Sequence, residues 1–149
     1  IAILIGVIFS VFAFVIKVSD MQVTVAPVDP KKLDEQHVNP EKLDHTCVVY
    51  ISGPLYFGTC AKLEEKITAL GENYNVIFSM RGVTIADMSG IEALRDYCEG
   101  IVKEGRMCYF SCVQEPVMQM MERCGFKERF KYDMYFWSTD KVFEHITKL

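Results

Sequence analysis

The sequence lacks the charge pattern of a nucleic-acid-binding protein. Its 16 lysines and arginines are interspersed with 20 aspartates and glutamates, which leaves a net charge of -4 and no basic stripe. A protein that follows a phosphate backbone needs such a stripe, commonly with aromatic side chains beside it. We therefore expect no nucleic-acid partner.

Closely spaced cysteine pairs are also missing. None of the six cysteines belongs to a Cys-x-x-Cys pair, and the nearest two are Cys108 and Cys112. In a strand these two thiols would lie about 13 Å apart on one face, too far for a disulfide or a shared metal ion. We therefore predict buried free thiols in a reducing compartment, with no metal and no cofactor.

Catalytic motifs are absent as well. The three histidines, His37, His45 and His145, have no metal-ligand spacing and no motif that places them beside a nucleophile. His45 lies near Cys47, but we interpret it as an incidental neighbour at the start of a strand. A glycine-rich phosphate loop is missing, although the amino end of a helix predicted at Gly90 is suited to an anion. We predict that the chain is not an enzyme.

An uncharged apolar run opens the chain. Residues 1–16, IAILIGVIFSVFAFVI, are apolar all round rather than on one face. As a helix they would extend about 24 Å, less than a hydrocarbon core of about 30 Å. We interpret residues 1–17 as the end of a transmembrane helix, with Lys17 at its cytoplasmic end. A signal peptide is the less favoured interpretation, because a small-x-small cleavage site is missing. A buried core helix is also less favoured, because the helices predicted in the rest of the chain leave no partner to pack around a helix that is apolar on every side.

The next segment, residues 18–46, is predicted to hold a first strand at 21–25 and a polar linker. The linker contains three of the five prolines and an imperfect ten-residue repeat, residues 28–34 and 38–44. Each copy places Asp or Asn before Pro, which favours a short helical turn. Two copies are too few for a solenoid, and no function is assigned to them.

Beyond Cys47, short apolar runs alternate with helical spacing, which is typical of strands alternating with helices. Strands are predicted at 47–51, 76–78, 107–112 and 134–137. Helices are predicted at 59–70, with Thr59 as cap and Gly71 as stop, and at 90–104, 116–124 and 139–149. Right-handed crossovers then make the strands mostly parallel. The predicted class is α/β, a mostly parallel or mixed sheet with flanking helices over residues 47–149.

Two loops follow neighbouring predicted strands, at the edge where open α/β sheets place their sites. They are residues 52–58 and 80–89. In the second, Ser89 and Glu92 have the spacing of a capping box, with the Ser89 hydroxyl as the helix cap. In the first, we expect Tyr56 and Phe57 to pack into the core at a strand-to-helix turn.

These loops resemble those of a known family. Asp87-Met88-Ser89-Gly90 resembles the Asp-x-Ser-Gly loop of the STAS domain, which sulfate transporters and anti-sigma factor antagonists share. Residues 53–58, GPLYFG, are similar to the Gly-Pro-apolar-aromatic-Phe run in STAS domains of SulP anion transporters. Those transporters carry the domain just after their last transmembrane helix, which is the place of residues 1–17 here.

The resemblance implies a cytoplasmic regulatory domain of a SulP-like secondary transporter for sulfate, bicarbonate or a related anion. It also implies location at the cell membrane, a homodimer, and two partners: the transmembrane core of the same transporter and a cytosolic regulatory protein. The implied regulatory loop, open to phosphorylation, consists of Asp87, Ser89 and Gly90. The implied interaction loop consists of Gly53, Pro54, Leu55, Tyr56 and Phe57.

A second interpretation is a soluble, phosphorylation-controlled antagonist that sequesters an anti-sigma factor kinase. Free-standing antagonists usually lack both the apolar run at 53–58 and a membrane helix. Many of them carry a second hydroxyl residue at the position of Met88. Hydrophobic segments upstream of Ile1 in the complete reading frame would favour the transporter interpretation.

Overall fold

The apolar opening segment is helical in a computed structural model of the chain, which describes residues 1–20, 22–29, 38–70 and 74–149. Helix α1 spans Ala2–Ser19, and the side chains at positions 1–17 are all exposed. No helix within the described ranges has the length and apolar character needed to cross a membrane.

The strands of the described residues form a single sheet in the order β1-β2-β3-β4-β5. β1 is antiparallel to β2, and the other neighbouring pairs are parallel. The predicted mixed, mostly parallel α/β sheet is therefore confirmed. The strands are β1 Gln22–Pro27, β2 Thr46–Ser52, β3 Asn75–Gly82, β4 Cys108–Ser111 and β5 Tyr135–Phe136.

Helices cover the two faces of the sheet unequally. Side chains of α2 to α5 pack with Val49, Phe78 and Phe110 in the larger core cluster. Side chains of α6 and of a short 3-10 turn pack with Val48, Ile77 and Tyr109 on the opposite face. The helices are α2 Phe57–Thr68, α3 Met88–Lys103, α4 Glu115–Arg123, α5 Phe126–Arg129 and α6 Thr139–Lys148, and the 3-10 turn is Pro40–Leu43.

Helix α2 has its cap at Tyr56, three residues earlier than the sequence predicted. Thr59 is not its cap but its third residue. The Thr59 hydroxyl accepts a hydrogen bond from the Tyr56 N–H (2.6 Å) and donates one to the Tyr56 carbonyl (2.7 Å). A hydroxyl at the third helical position can hydrogen-bond the backbone groups at the helix end, just as a hydroxyl at the cap can. A threonine is therefore compatible with two different helix starts. The predicted stop at Gly71 lies outside the described residues.

The second copy of the linker repeat has a structural role. It forms the 3-10 turn, in which the Asn39 side chain accepts a hydrogen bond from the Glu41 N–H at 3.1 Å. Leu43 is completely buried beneath α6. The Lys42 ammonium donates to the Thr147 carbonyl at 3.0 Å, which ties the turn to the end of that helix. The first copy lies largely outside the described residues, as does Met21 of the predicted first strand.

The cysteines are free thiols, and five of the six are buried. Burial raises the pKa of Cys47 to about 11 and that of Cys60 to about 12. The thiolate is the reactive form, so burial and protonation both protect these groups. Cys112 differs, because it is half-buried and lies just past β4 with a positive φ of 56°.

We expect a thiol reagent at pH 8 to modify one cysteine of the folded chain rapidly, namely Cys112. About one Cys47 side chain in a thousand is ionised at that pH, because its pKa lies about three units higher. Mass spectrometry of a timed iodoacetamide reaction would count the adducts. Cys112→Ser should remove the fast adduct, and two or more fast adducts on the folded chain would contradict the burial of the others.

Deletion of α1 is expected to leave the fold intact, because its described side chains are exposed. A chain that begins at Ser19 keeps Asp20 and its ion pair with Lys62. Its midpoint of thermal unfolding should lie within about 4 °C of that of the full chain in a mild detergent, which corresponds to roughly 1 kcal/mol. Non-cooperative unfolding that is restored only by α1 would show that the helix belongs to the core.

Candidate interaction surface at the carboxyl ends of the strands

The two predicted loops are joined by backbone hydrogen bonds. The Leu55 N–H donates to the Ile85 carbonyl at 3.0 Å, and the Asp87 N–H donates to the Leu55 carbonyl at 3.2 Å. Leu55 and Ala86 thereby form an isolated parallel bridge beyond the ends of β2 and β3. The loops at 52–58 and 80–89, which were predicted as two separate sites, are thus parts of one surface.

Leu55 is the buried member of the first loop. It is completely inaccessible, whereas Tyr56 is 38% exposed and Phe57 is 68% exposed. The prediction that Tyr56 and Phe57 pack in the core is therefore wrong. Successive side chains of an extended segment point to opposite sides, so the bridge that turns Leu55 inward turns Tyr56 outward. Phe57 then begins α2 outside the sheet.

Asp87, not Ser89, caps helix α3. The helix begins at Met88, and the Asp87 side chain accepts a hydrogen bond from the Gly90 N–H at 2.7 Å. The Ser89 hydroxyl donates to Asp87 Oδ1 at 3.0 Å, so Ser89 supports the cap from within the first turn. The predicted capping box of Ser89 with Glu92 is wrong, because a carboxylate two residues earlier takes the helix amide and also interacts favourably with the helix dipole.

This cap makes a clear distinction between two substitutions. Asp87→Ala should lower the free energy of unfolding by about 0.5–2 kcal/mol, because a helix amide loses its acceptor. Ser89→Ala should cost less than about 0.5 kcal/mol, because its side chain is exposed. Urea unfolding of both variants, with Asp87→Asn as the control that keeps a capping oxygen, measures the difference. A larger loss of unfolding free energy for Ser89→Ala than for Asp87→Ala would show that Ser89 is the helix cap after all.

Gly90 lets α3 approach the first loop. An added Cβ at Gly90 would lie 2.4 Å from the Leu55 carbonyl oxygen and 2.8 Å from Tyr56 Cα. The Cys60 thiol donates to the Gly90 carbonyl at 3.3 Å, which fastens α2 to the same point. Sequence reasoning placed Gly90 in a regulatory loop and missed this packing. The available signal was a glycine in the first turn of a helix, where it is otherwise unfavourable.

Apolar side chains from both loops remain exposed at this end of the domain. Ile85 is 60% and Met88 is 54% exposed, in addition to Tyr56 and Phe57. Single exposed apolar residues are ordinary, but a group of them on two joined loops is typical of an interaction site. We call these four residues the apolar patch.

Helix α1 leaves the domain at the same end as the apolar patch. β1 runs antiparallel to β2, and Gln22 pairs with Ser52 at the carboxyl end of β2. Lys62 of α2 forms an ion pair with Asp20 at 2.6 Å, and its hydrogen bond lowers the pKa of that carboxyl. Lys66, one turn further along α2, donates to the Val23 carbonyl at 2.5 Å. Helix α2 therefore contacts the segment that follows α1.

A metal site is not assembled from the described part of the chain. Among residues 1–20, 22–29, 38–70 and 74–149, no group of three His, Cys, Asp or Glu side chains is placed to hold a metal ion. The His45 ring lies 6.5 Å from the ring of Tyr74. His37 lies outside the described residues.

The described residues form an α/β domain, a mixed sheet whose carboxyl-end loops present apolar side chains. The STAS domain family model matches residues 37–148. The chain belongs to the STAS domain family, and the resemblance carried by the two loops is confirmed. No curated protein sequence matches the chain significantly.

Solved structures with the same fold come from transporters and from antagonists. The murine Slc26a9 anion transporter in the inward-facing state is 20% identical with a TM-score of 0.72, over 99% of this chain and 25% of that one. A sulfate transporter family protein from Wolinella succinogenes is 25% identical with a TM-score of 0.61, over 80% of this chain and 93% of that one. The anti-sigma factor antagonist SpoIIAA in its unphosphorylated form is 11% identical with a TM-score of 0.54, over 81% and 93%. This chain thus spans about a quarter of the Slc26a9 chain.

Proposed function

We propose that this chain is the cytoplasmic regulatory and interaction domain of a SulP-like secondary anion transporter. In this proposal α1 is the end of the last transmembrane helix and places the domain at the cell membrane. The observation that carries the proposal is that α1 and the apolar patch leave the sheet at the same end. The patch then faces the transmembrane core of the same protein.

Helix α2 is the proposed link between the patch and the membrane helix. It begins at Phe57 in the patch, and its Lys62 and Lys66 hold the two sides of the α1–β1 junction. A partner that binds the patch can alter transport only if it binds one transporter conformation better than another. Through α2, such a preference would reach the junction. The same proposal includes a homodimer and a cytosolic regulatory protein, both of which would bind other parts of the domain surface.

The test is an anion-uptake measurement on the complete transporter with single substitutions in the patch. Phe57→Ser and Met88→Ser should change the uptake rate by about fivefold or more, the lower range of an allosteric coupling. Leu149→Ser is the matched control, because Leu149 is 72% exposed but lies at the far end of α6. Wild-type uptake by both patch variants at equal abundance would contradict the proposal.

The antagonist function is the second candidate, and the exposure of Ser89 is the observation that favours it. Since Asp87 holds the cap, Ser89 can be replaced with little loss of stability. A phosphate at Ser89 would gain from the helix amino terminus, but its charge of about -1.5 to -2 would lie beside the Asp87 carboxylate.

Phosphate analysis of Ser89 from cells, together with uptake by Ser89→Ala and Ser89→Asp, decides between the two candidates. Phosphorylated Ser89 in a chain without upstream membrane segments would favour the antagonist. Wild-type uptake by both variants and unmodified Ser89 would exclude regulation through this residue.

A further inference from the structure

The sheet face beneath α6 changes from apolar to polar along the strands. In its amino half, Val48, Ile77 and Tyr109 pack against α6. Two residues further along each of these strands, the side chains on the same face carry hydroxyl groups: Tyr50, Ser79 and Ser111. Thr24 of β1 extends this series to the edge strand.

These four hydroxyl residues form one row across the sheet. Thr24 is the register partner of Tyr50, Tyr50 of Ser79, and Ser79 of Ser111. Helix α6 does not fully cover the row, since Tyr50 is 49% exposed. The first residue of the helix, Thr139, forms a hydroxyl pair at 3.0 Å with Ser111, the last member of the row. A groove of about 520 Å³ remains over the rest, lined also by Gln22, Arg81 and the first residues of α6.

Ser79 is the member of the row that offers a hydroxyl group to a ligand in the groove. It is only 8% exposed and lines the groove. No partner for its hydroxyl is found among the described residues, whereas Ser111 has Thr139. The Ser79 oxygen is therefore open to the groove rather than enclosed in the core. A molecule bound in the groove could hydrogen-bond to it in place of water.

The charges around the groove favour an anion. The Arg81 guanidinium forms no ion pair with the described residues, and its side-chain contact is with the Cys112 sulfur at 3.6 Å. Helix α6 points its amino end into the groove, and Ser138 caps it weakly, through a 3.4 Å bond from the Lys141 N–H. Free helix amides and the dipole attract negative charge. The Asp140 carboxylate also lines the groove and opposes this attraction.

We propose that this groove binds a tetrahedral oxyanion, sulfate or phosphate, between Arg81, Ser79 and the amino end of α6. Several neutral donors and one guanidinium around one groove suit an ion with oxygens on all sides. Gln22, at the start of β1, also lines the groove, so the ion lies beside the segment that follows α1. The site is distinct from the apolar patch and does not depend on what the patch binds.

The ¹⁵N-labelled 149-residue chain in a neutral detergent is the material for the test. It is titrated with sodium sulfate or sodium phosphate against sodium chloride at equal ionic strength. Saturable shifts of the Arg81, Thr139 and Asp140 amides are expected with an oxyanion and not with chloride. A third arm adds anionic phospholipid to the micelles, because the phosphate group of a lipid has the same chemistry. Shifts in any oxyanion arm support the site and show whether the bound anion is a free ion or a lipid phosphate group. The absence of shifts from all arms overturns the proposal.

Substitutions distinguish binding at this groove from nonspecific attraction of the anion to positive charge on the surface. Arg81→Gln should weaken binding about tenfold, because a charge-assisted hydrogen bond is lost. Asp140→Asn should strengthen it by about threefold to fivefold, because a nearby like charge is removed. Arg123→Gln, at an exposed position at the end of α4, is the matched control and should change nothing. Equal effects of Arg81→Gln and Arg123→Gln would overturn the proposal.

Ser79→Ala distinguishes a ligand-binding serine from a structural one. The oxyanion affinity of this variant should fall about threefold to tenfold. Its midpoint of thermal unfolding should be unchanged or higher, since no hydrogen bond to another described residue is lost. A lower midpoint with unchanged affinity would show that Ser79 serves the fold alone, and would remove its hydroxyl from the site.

Discussion

Gly90→Ala is expected to lower the free energy of unfolding by about 3 kcal/mol or more, a large part of the stability of a domain of this size. The added methyl group would lie 2.4 Å from the Leu55 carbonyl oxygen. That oxygen belongs to the backbone and accepts the hydrogen bond from Asp87 that joins the loops, so it cannot turn aside as a side chain would. Either α3 moves outward or the loops separate.

Gly100→Ala provides a matched control in the same helix. Apart from the neighbouring backbone of its own helix, no atom of the described residues lies within 4 Å of the Cβ position at Gly100. Alanine is the better helix former, so this change should raise the free energy of unfolding by about 0.5–1 kcal/mol. Guanidinium unfolding monitored by circular dichroism measures both variants. A Gly90→Ala chain as stable as the Gly100→Ala chain would contradict the close contact between α3 and the first loop.

The order of the strands and helices could be predicted because burial of one or both faces sets the spacing of apolar residues along the sequence. The run at 76–78 contains no polar residue because helices cover one face of β3 and α6 covers part of the other. Helix starts were harder to place. Thr59, Asp87 and Ser89 can each hold a helix amide, and local sequence does not decide which of them does so.

Much of the candidate site depends on contacts between distant parts of the chain. The two loops were predicted to lie at one edge, because carboxyl ends of parallel strands meet there. Which loop residues point outward is decided by the bridge between Leu55 and Ala86, and nothing near Leu55 in sequence indicates that partner. The hydroxyl row likewise exists only because four strands share one register, with Ser79 between Tyr50 and Ser111.

Leu55→Ala should lower the free energy of unfolding by about 2–5 kcal/mol, the usual cost of removing a buried leucine. Leu55 has no accessible surface, and its backbone joins both loops. The cavity would lie directly beneath the apolar patch. Thermal unfolding should therefore show a lower midpoint, and amide hydrogen exchange should be faster for Leu55 and Asp87 than in the wild type.

Phe57→Ala, two residues away, should separate stability from interaction. Phe57 is 68% exposed, so its truncation should change the free energy of unfolding by less than about 0.5 kcal/mol. If the patch docks on the transmembrane core, uptake by the complete transporter should nevertheless change, because a large aromatic side chain is lost from the contact. Leu55→Ala should disturb both properties, since it loosens the support of the patch. Destabilisation by Phe57→Ala equal to that by Leu55→Ala would mean that the aromatic ring is packed in the core and that the exposed patch does not exist.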